Sequence, residues 1–390
     1  MNYLTRTMWI LSLVSLFTDI SSEMLYPVMP LFLSSIGFSS VWIGLLEGMA
    51  EATAGLSKGY FGRLSDLTGK RAPFVQWGYL LSAVSKPLMA VFTYPIWIFG
   101  ARTLDRLGKG LRTGARDAIL SDECTPQNKG KVFGFHRGMD TLGAAIGPAL
   151  ALLFLMFYPA QYKILFLLAF IPGLAGAILT LIIREKKHEP AKNKITFKLS
   201  QTFSYLQKAP VAYKNLIAVL LLFALFNSSD MFLLMRMKQC GWNDTYIISA
   251  YILYNLVTAL AAFPFGHLAD KYGMKKTLIF SFALFALVYA GFGMNTSIEG
   301  FMMLFILYGI SAASGEGIAK ALVSNMVPRT DTASAIGTFA GLNSLMALLA
   351  STLAGLIWKF ISPDAVFIVS AAGVCLATLL LLLVSDLQQE

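Results

Sequence analysis

Residues 101–118, "ARTLDRLGKGLRTGARDA", set five cations and two acids into eighteen positions. On a helix at about 100° per residue, Arg102, Asp105, Arg106, Lys109, Arg112, Arg116 and Asp117 fall within an arc of roughly 140°. Fixed cations in such a row suit an anionic solute group, and carboxylates beside them suit proton uptake and release. Further acids stand nearby in type and spacing: Asp19 and Glu23 four residues apart, Glu47 and Glu51 at the same interval, and Asp140 close to His136 and Arg137. Together with Lys86, the first half of the chain offers seven acids against seven cations for one network. Such a network is neutral when fully ionised, and protonating one carboxylate frees a cation. In the second half, Asp230, Glu316 and Lys320 are sparser, and Tyr251 and Tyr254 are candidates to line a solute cavity.

Other chemistries find no support. Cys124, Cys240 and Cys375 form no CxxC pair, and His136, His188 and His267 are scattered, so no metal site is expected. No GxxxxGK[ST] or HExxH pattern occurs, so the chain is read as neither an enzyme nor a cofactor binder, and its energy source as an ion gradient.

The elements that must hold these charges are membrane spans. Hydrophobic residues make up 56% of the chain and charged residues only 13%, about half the usual charged share of a globular domain. Apolar runs and charged punctuation predict twelve spans, near 7–35, 41–61, 73–93, 96–120, 131–157, 163–183, 212–236, 244–265, 277–295, 300–325, 333–358 and 365–385. Pro27 and Pro30 are expected to break the first, whose Asp19 and Glu23 also argue against a cleaved signal peptide. The net charge of +10 lies largely in short loops on one side, so it marks topology rather than nucleic-acid binding. Both termini are thereby placed in the cytoplasm, with residues 185–211 as a basic cytoplasmic linker lying on lipid headgroups between bundles 1–184 and 212–390.

The halves repeat. "GRLSDLTGKR" at 62–71 and "GHLADKYGMK" at 266–275 align Gly62 with Gly266, Leu64 with Leu268, Asp66 with Asp270 and Gly69 with Gly273, and Gly37 matches Gly241 at the same spacing of 204. The glycines permit a tight turn, and Asp66 can accept hydrogen bonds from a helix end or from Arg71. The segment resembles the G-x-L-x-D-R-x-G-R-[KR] signature of the major facilitator superfamily, with Gly62, Leu64, Asp66, Gly69, Lys70 and Arg71 matching and Leu67 standing in place of an arginine. Gly143, Gly147 and Pro148 resemble that superfamily's antiporter motif without its trailing glycine pair, and Arg102 matches the arginine of its span-4 R-x-x-x-G-x-G motif, with Arg106 in place of the first glycine and Gly108 keeping the second.

The resemblance implies an all-α membrane protein of twelve transmembrane helices in two pseudo-symmetric six-helix bundles, in the inner membrane, working by alternating access and expected to be a monomer. Proton-coupled antiport exporting a small polar or anionic organic compound is the leading expectation. Proton-symport import of an organic anion or phosphorylated metabolite, and lipid flipping, stand as alternatives. In that scheme Asp19, Glu23, Glu47, Glu51 and Asp105 couple protons. Arg102, Arg106, Lys109, Arg112, Tyr251, Tyr254 and Glu316 meet the solute. Gly62, Asp66, Gly69, Lys70, Arg71, Asp117, Gly143, Gly147, Pro148, Gly266 and Asp270 serve gating.

Overall fold

A computed structural model of the chain describes residues 5–124, 129–183, 185, 205–327 and 332–384. Among these, all regular structure is helical: α1 (Arg6–Leu25), α2 (Met29–Ser35), α3 (Ser40–Thr68), α4 (Ala72–Val91), α5 (Pro95–Glu123), α6 (Lys129–Phe157), α7 (Tyr162–Leu179), α8 (Val211–Phe226), α9 (Met231–Gln239), α10 (Asp244–Tyr272), α11 (Met274–Met294), α12 (Ile298–Asn325), α13 (Thr332–Phe360) and α14 (Pro363–Leu383). Local chemistry sets many of the ends. Thr5, Asn243, Ser297 and Ser362 each accept a hydrogen bond from the backbone N–H three residues on, satisfying a donor that the first helical turn leaves open.

Two of the expected spans are broken helices. Pro27 and Pro30 interrupt the first, so that α1 ends at Leu25 and α2 begins at Met29. The seventh, expected unbroken, is interrupted without a proline: Asn227, Ser228, Ser229 and Asp230 separate α8 from α9. With α1/α2 and α8/α9 each taken as one crossing, the described long helices fit the twelve expected. Nine of these stretches are long and apolar enough to cross a membrane, and α3, α4 and α5 are not among them. Large apolar side chains such as Ile96, Phe263 and Leu383 are more than three-quarters exposed on the protein surface, as lipid-facing positions require.

The chain gathers into two compact units, one of Met1–Gly37 with Met49–Phe197 and one of Phe38–Gly48 with Lys198–Glu390. In the first unit α1 packs on α6 and α7, and α4 on α5 and α7. Met8, Leu11 and Val14 from α1, Val75 and Tyr79 from α4, and Ala115 and Ile119 from α5 belong to one buried hydrophobic core. In the second unit α12 lies against α10 and α11, α11 against α14, and α8 against α13 and α14. Rings fill its centre: Phe223 stacks on Phe282 at 4.0 Å and Phe285 on Tyr289 at 4.1 Å. The Phe38–Gly48 segment belongs to this unit, where Ser40 Oγ donates to the Gly355 carbonyl at 3.1 Å and Gly44 lies against Ser351.

The repeat at a spacing of 204 reappears in the backbone. Gly37 and Gly241 both have φ of 88°, and Gly69 and Gly273 have φ of 65° and 100°, a region that favours glycine. The signature segment differs from expectation in one respect: α3 runs on through Thr68, so the turn is confined to Gly69, Lys70 and Arg71, and Gly62 lies within the helix.

Candidate functional site: an ionic core on α5

α5 begins at Pro95, where a missing N–H costs little, and carries four glycines. These glycines decide how close its neighbours come. A methyl group at Gly108 would fall 2.6 Å from the Gly78 carbonyl of α4, and one at Gly114 would fall 2.7 Å from the Cα of Gly62 on α3. With both backbones this near, the long charged side chains of α5 reach across to partners on α3, α4 and α1.

Asp105 is the hub. Its Oδ1 accepts from Lys86 Nζ and from Ser82 Oγ, both at 2.6 Å, and its Oδ2 lies 3.3 Å from the Arg102 guanidinium and 3.9 Å from Arg106 Nε. Lys86 also donates to Ser82 Oγ at 3.2 Å and to Ser22 Oγ of α1 at 3.3 Å. Lys86, Arg102 and Asp105 are each no more than 5% exposed. Desolvating these charges is costly, and their mutual attraction with added hydrogen bonds offsets that cost. Arg106 reaches outward to Glu51, at 3.4 Å, whose side chain is 47% exposed.

Farther along α5 the pattern changes. The Arg112 guanidinium lies 4.5 Å above the Tyr79 ring, a favourable cation–π geometry. Arg112 is buried, yet one of its terminal nitrogens finds no hydrogen-bond acceptor among the described residues, and neither does the Tyr79 hydroxyl. Asp19, half-buried on α1, lies within coulombic reach of Glu23, Asp140, Arg112 and Lys109. Lys109 is exposed and within the same reach of Arg106, Glu51, Asp19 and Glu23. Arg116 donates to Asp117 at 2.9 Å and 3.0 Å and to Ser15 Oγ at 3.1 Å. His136 Nδ1 lies 3.4 Å from Ser12 Oγ, with its Nε2 3.8 Å from Asp140.

The remaining candidates fall around this core or apart from it. Gly143 and Gly147 seat α6 on α1: a methyl group there would fall 2.9 Å from the Asp19 Cβ and 2.6 Å from the Ile20 carbonyl, respectively. Pro148 stays inside α6, which continues to Phe157. Glu47 is buried within the Phe38–Gly48 segment of the second unit. Lys70 is exposed at the turn. Arg71 pairs with Asp122 near the end of α5, and the backbone N–H groups of Arg71 and Ala72 donate to Glu185 at 2.9 Å and 2.5 Å. That carboxylate thus sits at the positive end of α4. The side chains of Asp66 and Glu316 lie outside the described residues, as does most of the linker.

In the second unit, Tyr251 is buried and Tyr254 half-buried on α10, and Tyr254 stacks on Tyr308 at 4.9 Å. Gly266 is open, and Asp270 lines a cavity of about 750 Å³ together with Leu216, Gly273, Lys275 and Leu381. Sequence reasoning missed the partners Ser82, Asp122 and Glu185. It also missed Arg236, buried and paired with Asp364 at 2.5 Å. Only Arg236, an arginine in an apolar run, carried a signal that intramembrane charges need partners.

Comparison with known proteins agrees with this architecture. The Major Facilitator Superfamily profile matches residues 11–253 and 231–389. An uncharacterised MFS-type transporter of Methanocaldococcus jannaschii is 34% identical over 387 residues, covering 98% of this chain and 95% of that protein. A multi-drug resistance efflux pump PmrA homologue of Lactococcus lactis is 20% identical over 358 residues, covering 90% and 87%. Among solved structures, a mutant of the nucleoside transporter NupG superposes with a TM-score of 0.83 at 13% identity, covering 98% of this chain and all of that one. The chain therefore belongs to the Major Facilitator Superfamily and is a multi-pass membrane transporter.

Proposed function

We propose that the protein is a secondary active transporter working by alternating access, in which proton uptake drives export of a small polar or anionic organic compound. The observation that carries this reading is the buried Arg112 guanidinium, which keeps a donor without an acceptor among the described residues while lying within coulombic reach of Asp19. A buried donor left unmade is costly, and an anionic group or water arriving there removes the cost. Asp19, Glu23 and Lys109 surround the same place. In antiport the proton and the solute take the site in turn: a polar group of the solute accepts from Arg112 and donates to ionised Asp19 or Glu23, a proton taken up from outside neutralises the carboxylate and releases the solute there, and loss of that proton to the cytoplasm readies the site again. Asp105, bound by Lys86 and Arg102, holds the frame in which this exchange occurs. Similarity to an efflux pump homologue favours export as the direction.

The same reading takes the chain as a monomer in the cytoplasmic membrane, both termini inside, with the Arg71–Asp122 pair and the turns at Gly69 and Gly273 as gating elements. The test is pH-gradient-driven solute flux in proteoliposomes. Asp19→Asn and Glu23→Gln are expected to uncouple flux from the gradient, and Arg112→Gln to reduce anion flux at least about tenfold, the size of one lost charge-assisted hydrogen bond. Unchanged gradient-driven flux in both carboxylate variants would overturn the assignment.

A further inference from the structure

We propose that Asp230 and the tyrosines packed round it, Tyr254, Tyr289 and Tyr308, form a binding site for an organic ammonium group in the second unit. The proposal rests on the transporter reading and sharpens its solute: among polar compounds, those bearing a positively charged nitrogen.

Four observations converge. Asp230 lies at the break between α8 and α9, inside a stretch otherwise long and apolar enough to cross a membrane. An ionisable residue in such a place is costly and is kept for function. Asp230 also occupies the N-cap of α9 without making a side-chain capping bond. An aspartate at that position ordinarily caps the helix; this one accepts instead from the Tyr308 hydroxyl at 2.6 Å.

The carboxylate is set in aromatic surroundings. The Tyr308 ring stacks on Tyr254 at 4.9 Å and lies 6.2 Å from Tyr289, itself fully buried. Asp230 and Tyr254 are only half-buried, so a ligand has access to the carboxylate and to a ring. Aromatic faces carry negative charge and attract ammonium cations, more strongly where water is scarce. Finally, α8 ends at Phe226, with its last carbonyls beside the break. The negative end of a half-helix is a cation site in discontinuous membrane helices. A carboxylate, ring faces and a helix C-terminus all select the same charge sign.

The test is equilibrium binding to the purified full chain in detergent, by titration calorimetry, with benzyltrimethylammonium, benzoate and benzyl alcohol as cationic, anionic and neutral probes, and sodium chloride as a fourth. Saturable binding of benzyltrimethylammonium is expected, reduced at least tenfold by Asp230→Asn and several-fold by Tyr254→Leu, and retained in Tyr254→Phe, which keeps the ring. Asp230→Glu, which keeps the charge, is a second variant should the amide fail to fold. Absence of saturable benzyltrimethylammonium binding, equal affinity for benzyl alcohol, an unchanged affinity in folded Asp230→Asn, or displacement of the probe by millimolar sodium would overturn the proposal. Binding in detergent needs no gradient, so failure of proton coupling in the first-unit variants and failure of this site are read separately.

Discussion

Asp105→Asn tests the ionic core most directly. The substitution keeps the side chain's shape and removes the negative charge that Lys86 Nζ meets at 2.6 Å and the Arg102 guanidinium at 3.3 Å. Both cations are almost fully buried, so neither gains water in exchange. Breaking a buried pair by removing one partner costs about 3–5 kcal/mol, and two stranded cations put this case at the upper end. For a unit of this size each kcal/mol moves the unfolding midpoint by about 2–4 °C, so a fall of about 10–20 °C is expected. Thermal unfolding in detergent, followed by tryptophan fluorescence, reads it. The double variant Lys86→Met/Asp105→Asn removes one stranded cation and is expected to recover about half the loss, giving a coupling energy well above the ~0.5 kcal/mol of independent sites. A fall under about 2 °C in the single variant, or strict additivity in the pair, would refute the idea that Asp105 organises these charges.

Two further outcomes follow from the same packing. Gly114→Ala places a methyl group 2.7 Å from the Gly62 Cα, whereas Gly100→Ala meets nothing within 4 Å; the first is expected to destabilise by about 1–3 kcal/mol through overpacking and the second to be neutral or stabilising, both checked by unfolding midpoint. Asp122→Asn loosens the partly exposed pair with Arg71, and is expected to shift stability by less than about 1 kcal/mol while changing solute turnover in proteoliposomes.

The charged stripe of α5 was legible because seven charges on one helical face have no use against lipid, and the span pattern was legible because few other sequences sustain such apolar runs. The repeat was visible in glycines whose backbone conformation admits little else, as Gly37, Gly69, Gly241 and Gly273 bear out. Partnerships were not legible. Nothing in the spacing of Lys86 and Asp105 says that α4 and α5 pack through Gly78 and Gly108 closely enough for the two to meet. Likewise nothing in the spacing says that Arg71 pairs with Asp122, fifty-one residues away. The break before α9 had a signal, four consecutive polar residues Asn227–Asp230 in an apolar run, which the absence of proline concealed.

The polarity of α5 bears on how the chain is made. Each charge near the bilayer centre costs about 2.5–3.5 kcal/mol during insertion, so this helix, released alone from the translocon, would not partition into lipid. Its counter-charges arrive earlier in translation, Glu51 on α3 and Lys86 on α4. Biogenesis therefore requires α5 to be escorted by helices already synthesised, and a nascent chain carrying Lys86→Glu in place of its wild-type residue inherits an altered escort before any solute is encountered.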